Sequence, residues 1–172
     1  MSMKQTQNTL RLMTESDLPA VMAIQASSYP QRYIEGLATF RSKLKLNPTG
    51  CWVACLDQAV RGYLVTVHSD EHHFPSLNVD AVVAPEHPSM LFIHDLALMP
   101  DARGQGLSER LLLCALEHAR SCALNTIALV AVQGTERFWT RQGFQTCTPR
   151  HPVMQQRLAS FGADALFMMR AP

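Results

Sequence analysis

The feature that most constrains this chain is a strand-to-helix corner in the stretch LFIHDLALMPDARGQGLSERLL, residues 91–112. An apolar run that ends before Pro100 is typical of a buried strand, and from Gly106 onward apolar residues recur every three or four positions, as in a helix. Glycines let backbone N–H groups approach a ligand, and a helix start leaves further N–H groups unpaired. The corner therefore favours a bound phosphate or diphosphate.

A tight turn that merely requires two glycines is the alternative explanation of the same letters. Two other phosphate-binding patterns are excluded. No Gly-Lys-Ser/Thr follows the corner, as a Walker A loop requires. The glycine spacing and the lack of a preceding βαβ unit also exclude a dinucleotide-binding Rossmann fingerprint.

Local patterns along the rest of the chain predict a mixed α/β layer domain with the element order β-α-α-β-β-β-α-β-α-β-β. Strands are predicted at LRLM, CWVACLD, RGYLVTVH, MLFIHDLAL, TIALVAV, FQTCT and ALFMMR, with VDAVV a weak further candidate. Helices are predicted in TESDLPAVMAIQASS, in IEGLATFRSKLKLN, after the glycine corner and in TERFWTRQ. The first helix begins with a capping signal at Thr14 and Asp17, and the last stops at Gly143.

Composition narrows the class of protein. The chain has 172 residues, of which 47% are hydrophobic and 17% charged, and a formal charge of +1. We expect residues 1–172 to form a single domain with residues 1–8 flexible. Neither a basic stripe nor an 18-residue apolar run is present, so we expect no nucleic-acid partner and no membrane span. Five cysteines within apolar patterns indicate core residues of a cytoplasmic protein.

Two motifs carry a resemblance to a known family. ARGQGLSERLL resembles the acetyl-CoA-binding motif of the GNAT superfamily of N-acetyltransferases, Gln/Arg-x-x-Gly-x-Gly/Ala. Arg103 and Gly106 match the arginine and the first glycine, and Ser108 stands where the family prefers Gly or Ala. RFWTRQGF, residues 137–144, resembles the second signature, Phe-Tyr-x-x-x-Gly-Phe, and LRLMTESDLPAV resembles the first strand and helix.

The resemblance implies an α/β fold of the α+β type, with a mixed, mostly antiparallel sheet, splayed middle strands and helices on both faces. It implies transfer of an acetyl group from acetyl-CoA to a primary amine, most simply that of a small molecule, by direct attack in a ternary complex. Backbone groups of Leu96 and Leu98 would pair with the pantetheine arm. The implied cofactor-binding residues are Leu96, Ala97, Leu98, Arg103, Gly104, Gln105, Gly106, Leu107, Ser108, Phe138 and Trp139.

His94 is the candidate catalytic base. An alkylamine attacks a thioester only after losing its proton, and imidazole is a suitable acceptor near neutral pH. In the arylalkylamine-type members that the chain resembles, a histidine at this strand position faces the substrate. The alternative is a core histidine bonded to nearby backbone. Strand alternation would place Asp95 on the opposite face, as a structural acceptor, unless the strand bulges.

Trp139 is a departure from the family pattern, which has a tyrosine there as the presumed general acid. An indole N–H donates a hydrogen bond but does not release its proton. Either the thiolate leaves unassisted or another donor substitutes. Tyr29 and Tyr33, near the implied acceptor site, are candidates for that role and for substrate binding; the alternative is that they are partly exposed loop aromatics.

The segment HSDEHH, residues 68–73, holds three histidines and two carboxylates. A metal site is conceivable, but we interpret the segment as a solvated loop and predict no metal cofactor. Two other functions stay open: acetylation of a protein N-terminus or lysine, and a non-catalytic acyl-CoA-binding module. Nothing in the sequence fixes the acceptor or the oligomeric state, and a homodimer is compatible with it.

Overall fold

The fold is described from a computed structural model, which covers residues 7–79 and 81–172. The strands are β1 (Asn8–Leu12), β2 (Cys51–Leu56), β3 (Ala59–Ser69), β4 (Met90–Leu98), β5 (Thr126–Ala131), β6 (Gln145–Thr146) and β7 (Leu166–Arg170). The α-helices are α1 (Leu18–Ser28), α2 (Leu37–Leu46), α3 (Leu107–Ser121), α4 (Glu136–Arg141) and α5 (Pro152–Ser160).

Within this described part of the chain the strands form one sheet in the order β1-β2-β3-β4-β5-β7-β6. Only β4 and β5 pair in parallel, and every other described pair is antiparallel. The long connection through α3 is what a parallel pair requires. The expected mixed, mostly antiparallel sheet is therefore confirmed.

Helices cover both faces of the sheet, as expected. On one face α3 packs its apolar stripe, on which Leu107, Leu111 and Ala115 are fully buried, against β3, β4 and β5. On the other face α1 and α2 pack against β2 and β3, and the segment around α5 packs against β4, β5 and β7. A cavity lies where these cores meet at the middle of the sheet.

A β-bulge interrupts the pairing of β3 with β4. Val65 pairs with Asp95 and the next residue, Thr66, pairs with Ile93, so His94 is one residue too many on β4. An extra residue shifts the two-residue period of a strand by one. The alternation of side chains between the two faces of the sheet is therefore reversed after His94 relative to the residues before it.

The bulge overturns the expectation that His94 and Asp95 lie on opposite faces. Ile93 packs under α3, whereas Ala97, which regular alternation would place on the same face, packs against α1 and α2. The shift turns Asp95 toward the face on which His94 already lies. Both side chains consequently point to the α1 and α2 side of the sheet.

The two middle strands also separate, as predicted. β4 and β5 pair from Met90 with Thr126 to Ile93 with Leu129, and no further. Beyond that point β4 stays bonded to β3, and β5 stays bonded to β7. The result is a gap within the sheet.

Several local expectations need correction. The described residues of VDAVV form no strand, and Val83 is largely exposed. The segment between the last two strands contains α5, which the sequence reading did not predict. Of the residues expected to be flexible, 1–6 lie outside the described residues, but Asn8 already belongs to β1 and pairs with Leu56.

Two further observations bear on the predicted class of protein. The five cysteines are free; Cys51 and Cys55 are buried, and the other three are half-buried. Among the described residues, no helix combines the length and the apolar character that crossing a bilayer requires.

Candidate active site

A cavity of about 310 Å³ opens at the gap between β4 and β5. One wall is the segment from Ile93 to Leu98, and the other is Leu129 to Gln133. The glycine corner contributes Arg103 and Ser108, and α4 contributes Phe138 and Trp139. The structure thus brings most of the predicted site residues around one space.

The glycine corner has the geometry of an anion cradle. Gly104 and Gly106 adopt the left-handed conformation, at φ +72° and +71°, and a Cβ built on either would meet no atom within 4 Å. Gly106 precedes Leu107, the first residue of α3, so the N–H groups of the first turn are open. The side-chain amide of Gln105 donates to the Asp101 carbonyl at 3.0 Å.

Backbone groups of β4 also face the gap. The Met99 N–H donates to the Arg61 carbonyl on β3. Because such bonds alternate along a strand, the N–H groups of Leu98 and Leu96 point away from β3 and into the gap. Ala97 lines the cavity, but its own backbone groups face β3.

His94 is part of a buried ionic cluster. Its Nε2 lies 2.7 Å from Glu35 Oε2 and 2.5 Å from Lys43 Nζ, and Lys43 Nζ lies 2.6 Å from the same carboxylate oxygen. The three side chains are at most 2% exposed. Nε2 carries either a proton that it donates to Glu35 or a lone pair that accepts from Lys43. His94 Nδ1 is buried and has no partner among the described residues.

Glu35 holds this cluster in place. Its backbone exchanges two hydrogen bonds with the side chain of Gln25, and its other carboxylate oxygen accepts from the Asn78 N–H at 2.8 Å. Although burial raises the pKa of Glu35, His94 and Lys43 lower it more, to about 2. Burial lowers the pKa of Lys43, against the pull of Glu35.

The lowered pKa of the Glu35 carboxyl determines how the stability of the fold depends on pH. The pKa of Glu35 is about 2 in the folded protein, against about 4.3 for a glutamate in an unfolded chain. The stability that its charge contributes is therefore present above about pH 4 and is lost as the pH falls toward 2.

Asp95 forms a second buried cluster at the cavity. It accepts from the Tyr29 hydroxyl at 2.6 Å and from the Tyr63 hydroxyl at 2.5 Å. Burial raises its pKa, an effect that the two hydroxyl bonds oppose. Burial and the nearby Asp95 raise the pKa of Tyr29 well above its usual value. Asp95 is a structural acceptor, but of tyrosine hydroxyls and not of N–H groups or an arginine, and it lies at the cavity, contrary to the expectation from regular alternation.

The remaining aromatic candidates are packed rather than exposed. Tyr33 is buried, and its hydroxyl donates to the Phe161 carbonyl at 3.0 Å. The interpretation as a partly exposed loop aromatic is therefore wrong for Tyr33, whereas Tyr29 is half-buried and bonds to Asp95 and the Leu96 carbonyl. Trp139 is 8% exposed and packs edge-on between Phe138 and Phe144, so it is a core residue with one side at the cavity.

The segment HSDEHH is not all loop. His68 and Ser69 are the last residues of β3, and His68 packs against His118 of α3. Beyond the strand, His73 bonds to Asp70 at the surface, in agreement with the expected loop.

Three residues of these clusters are not predicted from the sequence: Glu35, Lys43 and Tyr63. Lys43 had a signal, because it follows Phe40 by three positions and precedes Leu44, which puts a lysine on the apolar face of α2. No sequence pattern indicates Glu35 or Tyr63, since each bonds to a residue far away in the chain.

Comparison with known proteins agrees with this geometry. Residues 18–144 match the model of the acetyltransferase (GNAT) family. No curated protein matches the chain significantly.

Three solved structures illustrate the likeness in fold. Ard1 from Thermoplasma volcanium is 17% identical with a TM-score of 0.71, covering 95% of this chain and 97% of its own. The ribosomal-protein-S18-alanine N-acetyltransferase from Escherichia coli is 17% identical at TM-score 0.64, with 96% and 94% covered. The PaiA N-acetyltransferase from Thermoplasma acidophilum, in complex with coenzyme A, is 14% identical at TM-score 0.64, with 96% and 99% covered.

We predict strong energetic coupling between Lys43 and Glu35. Lys43→Met should destabilise the protein by about 3–5 kcal/mol, because it leaves a buried carboxylate with less compensation. Adding Glu35→Gln should cost far less than the two single changes together. Urea unfolding at pH 7 measures the cycle, with the exposed neighbour Lys45→Met as the control.

The same cycle has a pH signature. The stability difference between wild type and Glu35→Gln should shrink as the pH falls from about 4 to 2, as Glu35 takes up its proton. Additive single changes, or a difference that does not vary with pH, would contradict the coupling.

Proposed function

The chain belongs to the acetyltransferase (GNAT) family, whose members transfer the acetyl group of acetyl-CoA, and we propose that this one delivers it to the primary amine of a small molecule. The whole of residues 1–172 acts as one catalytic domain in this proposal. The amine attacks acetyl-CoA directly while both are bound.

The shape of the acceptor end of the cavity supports a small acceptor. Tyr33 ties the turn before α2 to Phe161 after α5 by its hydroxyl bond. Leu77, from the loop after β3, adds a third segment to this wall. A protein acceptor needs a groove that an extended chain can enter, and a wall of three joined segments closes such a route.

A protein acceptor is the second candidate, since the Escherichia coli structure is named for acetylating alanine of ribosomal protein S18. A non-catalytic acyl-CoA-binding module is the third. The acceptor experiment below separates all three.

In this proposal acetyl-CoA lies along the gap. The N–H groups from Gly104 to Ser108 and the guanidinium of Arg103 hold the diphosphate, where helix-start donors and a fixed charge favour an anion. Leu96 and Leu98 bond to the pantetheine arm. The Leu98 N–H, which points into the gap, is the donor assigned to the oxyanion that forms on attack.

The proton of the amine goes to His94 Nδ1, directly or through water. Nδ1 is the nitrogen without a partner among the described residues. It has a free lone pair only when Nε2 carries the ring proton, and Glu35, at 2.7 Å, is the acceptor for that proton. Glu35 thus positions the tautomer, in the way that a carboxylate orients a catalytic histidine.

The proposal assigns Trp139 a packing role beside the thioester, because its indole cannot release a proton. Tyr29 is a poor substitute acid, since burial and Asp95 raise its pKa well above the usual value. The thiolate of CoA therefore leaves without a tyrosine donor. Tyr29 instead fixes the acceptor wall by bonding Asp95 and the Leu96 carbonyl.

The acceptor class is tested by CoA release. We expect acetyl-CoA with a panel of small primary amines to release free thiol well above hydrolysis, and short peptides with free N-termini or lysines to release less. Higher rates with peptides would transfer the assignment to a protein acceptor. No release with any amine, despite tight acetyl-CoA binding, would favour a binding module.

The glycine cradle is tested by acetyl-CoA affinity. Gly106→Ala should weaken binding by at least about tenfold, because its Cβ enters the space reserved for the diphosphate. Arg103→Ala should cost about 1–3 kcal/mol, the scale of a charge-assisted hydrogen bond. Gly143→Ala is the control, since Gly143 also has a positive φ, +85°, and lies outside the cavity, where an added Cβ would contact only the side chain of Arg170. Calorimetry that finds equal affinities in all variants would refute the cradle.

The base role of His94 is tested with amines of different basicity. His94→Gln and His94→Ala should lower turnover of an alkylamine by about a hundredfold, the usual scale for loss of a general base. Turnover of an aniline should fall much less, because an aniline is unprotonated when it binds. The affinity for acetyl-CoA should hardly change. Equal losses for both amines would mean that His94 supports structure or orientation only.

A further inference from the structure

A cluster of metal-binding side chains lies at the far end of α3 from the cavity. His68 is near the end of β3, and His118 and Cys122 are at the end of α3. One ligand atom from each lies within 4.8 Å of the other two. His118 is eleven residues after Leu107, where α3 begins, which is about 16 Å along the helix at about 1.5 Å per residue.

The fold explains why these residues meet. His118 and Cys122 are four positions apart, so they lie on one side of α3, and His118 Nε2 is 3.8 Å from Cys122 Sγ. His68 is on the face of β3 that α3 covers, and its ring is 5.8 Å from that of His118, centroid to centroid. Trp52 packs edge-on against His118 and fixes the second ring.

An unpaired polar atom points to a missing ligand. Nε2 of His68 is buried, and no described residue bonds to it. A buried polar atom without a partner costs about 1–3 kcal/mol. The only polar partner found for His118 Nε2 among described residues is the Cys122 sulfur, a weak one. A cation between the three atoms would satisfy all of them.

The donor set selects the kind of ion. Two imidazole nitrogens and one thiolate suit Zn²⁺ and similar transition metals, and they do not suit Mg²⁺ or Ca²⁺, which prefer oxygen. Zn²⁺ lies about 2.0–2.3 Å from such ligands. The three atoms lie within 4.8 Å of one another, and two of them are 3.8 Å apart. A point equidistant from them is therefore at most about 2.8 Å from each, so side-chain shifts of about half an ångström complete the site.

We propose that His68, His118 and Cys122 bind a divalent transition metal ion of the Zn²⁺ class, with water in the fourth position. This departs from the sequence-based expectation that the protein has no metal site. Burial lowers the pKa of His68, and burial together with His68 lowers that of His118, in keeping with the neutral form that binds metal. The ion would join the end of β3 to the end of α3, far from the acetyl-CoA cradle.

The test uses untagged, reduced, chelator-treated protein titrated with Co²⁺ in the absence of air. We expect one equivalent to give a thiolate-to-cobalt charge-transfer band in the near ultraviolet and the strong visible bands of a four-coordinate site. Zn²⁺ should displace the cobalt and abolish both sets of bands. It should also raise the temperature of unfolding.

The variants use the two half-exposed ligands, because replacing His118 would also disturb its packing on Trp52. Cys122→Ser should abolish the thiolate band. His68→Gln and Cys122→Ser should each weaken Zn²⁺ binding by at least about a hundredfold, since losing even an outer-shell partner costs about 10–100-fold. Both should lose the rise in unfolding temperature while keeping the circular dichroism of the metal-free wild type.

Two controls separate this site from general metal binding. Cys114→Ser removes another half-buried thiol of α3, and His73→Gln removes an exposed histidine. Both should behave as wild type. The proposal is overturned if folded, reduced wild type gives no thiolate band, if Cys122→Ser or His68→Gln binds Zn²⁺ as tightly as wild type, or if either control abolishes binding.

Discussion

The extra residue at His94 is the constraint on which the rest of the site depends. A regular strand would send Asp95 under α3, into the apolar core. Because of the bulge, Asp95 accepts hydrogen bonds from Tyr29 and Tyr63. His94 remains in contact with Glu35 and Lys43. The same residue marks the point where β4 leaves β5. One irregularity in pairing therefore sets both the polar lining and the opening of the cavity.

The buried cluster beside the bulge is a costly arrangement for stability. A lysine with no exposed side-chain surface and a glutamate at 2% lose almost all hydration, and a well-packed apolar pair would serve the fold as well or better. In the proposed mechanism its benefit lies in the chemistry of the histidine. With Nε2 engaged by charged neighbours, the ring has one free nitrogen and a fixed orientation. In that mechanism the site, and not the fold, accounts for the cost.

Local signals made most of the fold predictable. The glycine corner, the stripe on α3 and the cap at Thr14 each depend on residues a few positions apart. The structure has the first two, and the Thr14 cap begins a short 3-10 helix, Glu15–Asp17, that leads into α1. The fold class and the splayed strands followed from the resemblance carried by those motifs. The missed helix α5 lies in a segment with a weak apolar pattern.

The polar core of the site was less predictable for a physical reason. Glu35 meets His94 across 59 positions, and Tyr63 meets Asp95 across 32. Such contacts depend on strand register, and no pattern in the neighbouring sequence indicates the register shift at His94. The meeting of His68 with His118 and Cys122 has the same origin, since β3 and α3 are far apart in sequence.

The division of the sheet has a consequence for which acyl groups the protein can accept. β4 and β5 are joined over four residue pairs only, and each is held on its outer side by another strand. A longer acyl chain could enter the gap without breaking a backbone hydrogen bond. In the proposed binding mode the size limit is then set by side chains that line the cavity, such as Leu129, Phe138 and Trp139. With acyl-CoA bound as proposed, donor selectivity is a property of a few replaceable side chains, which can change without rebuilding the sheet.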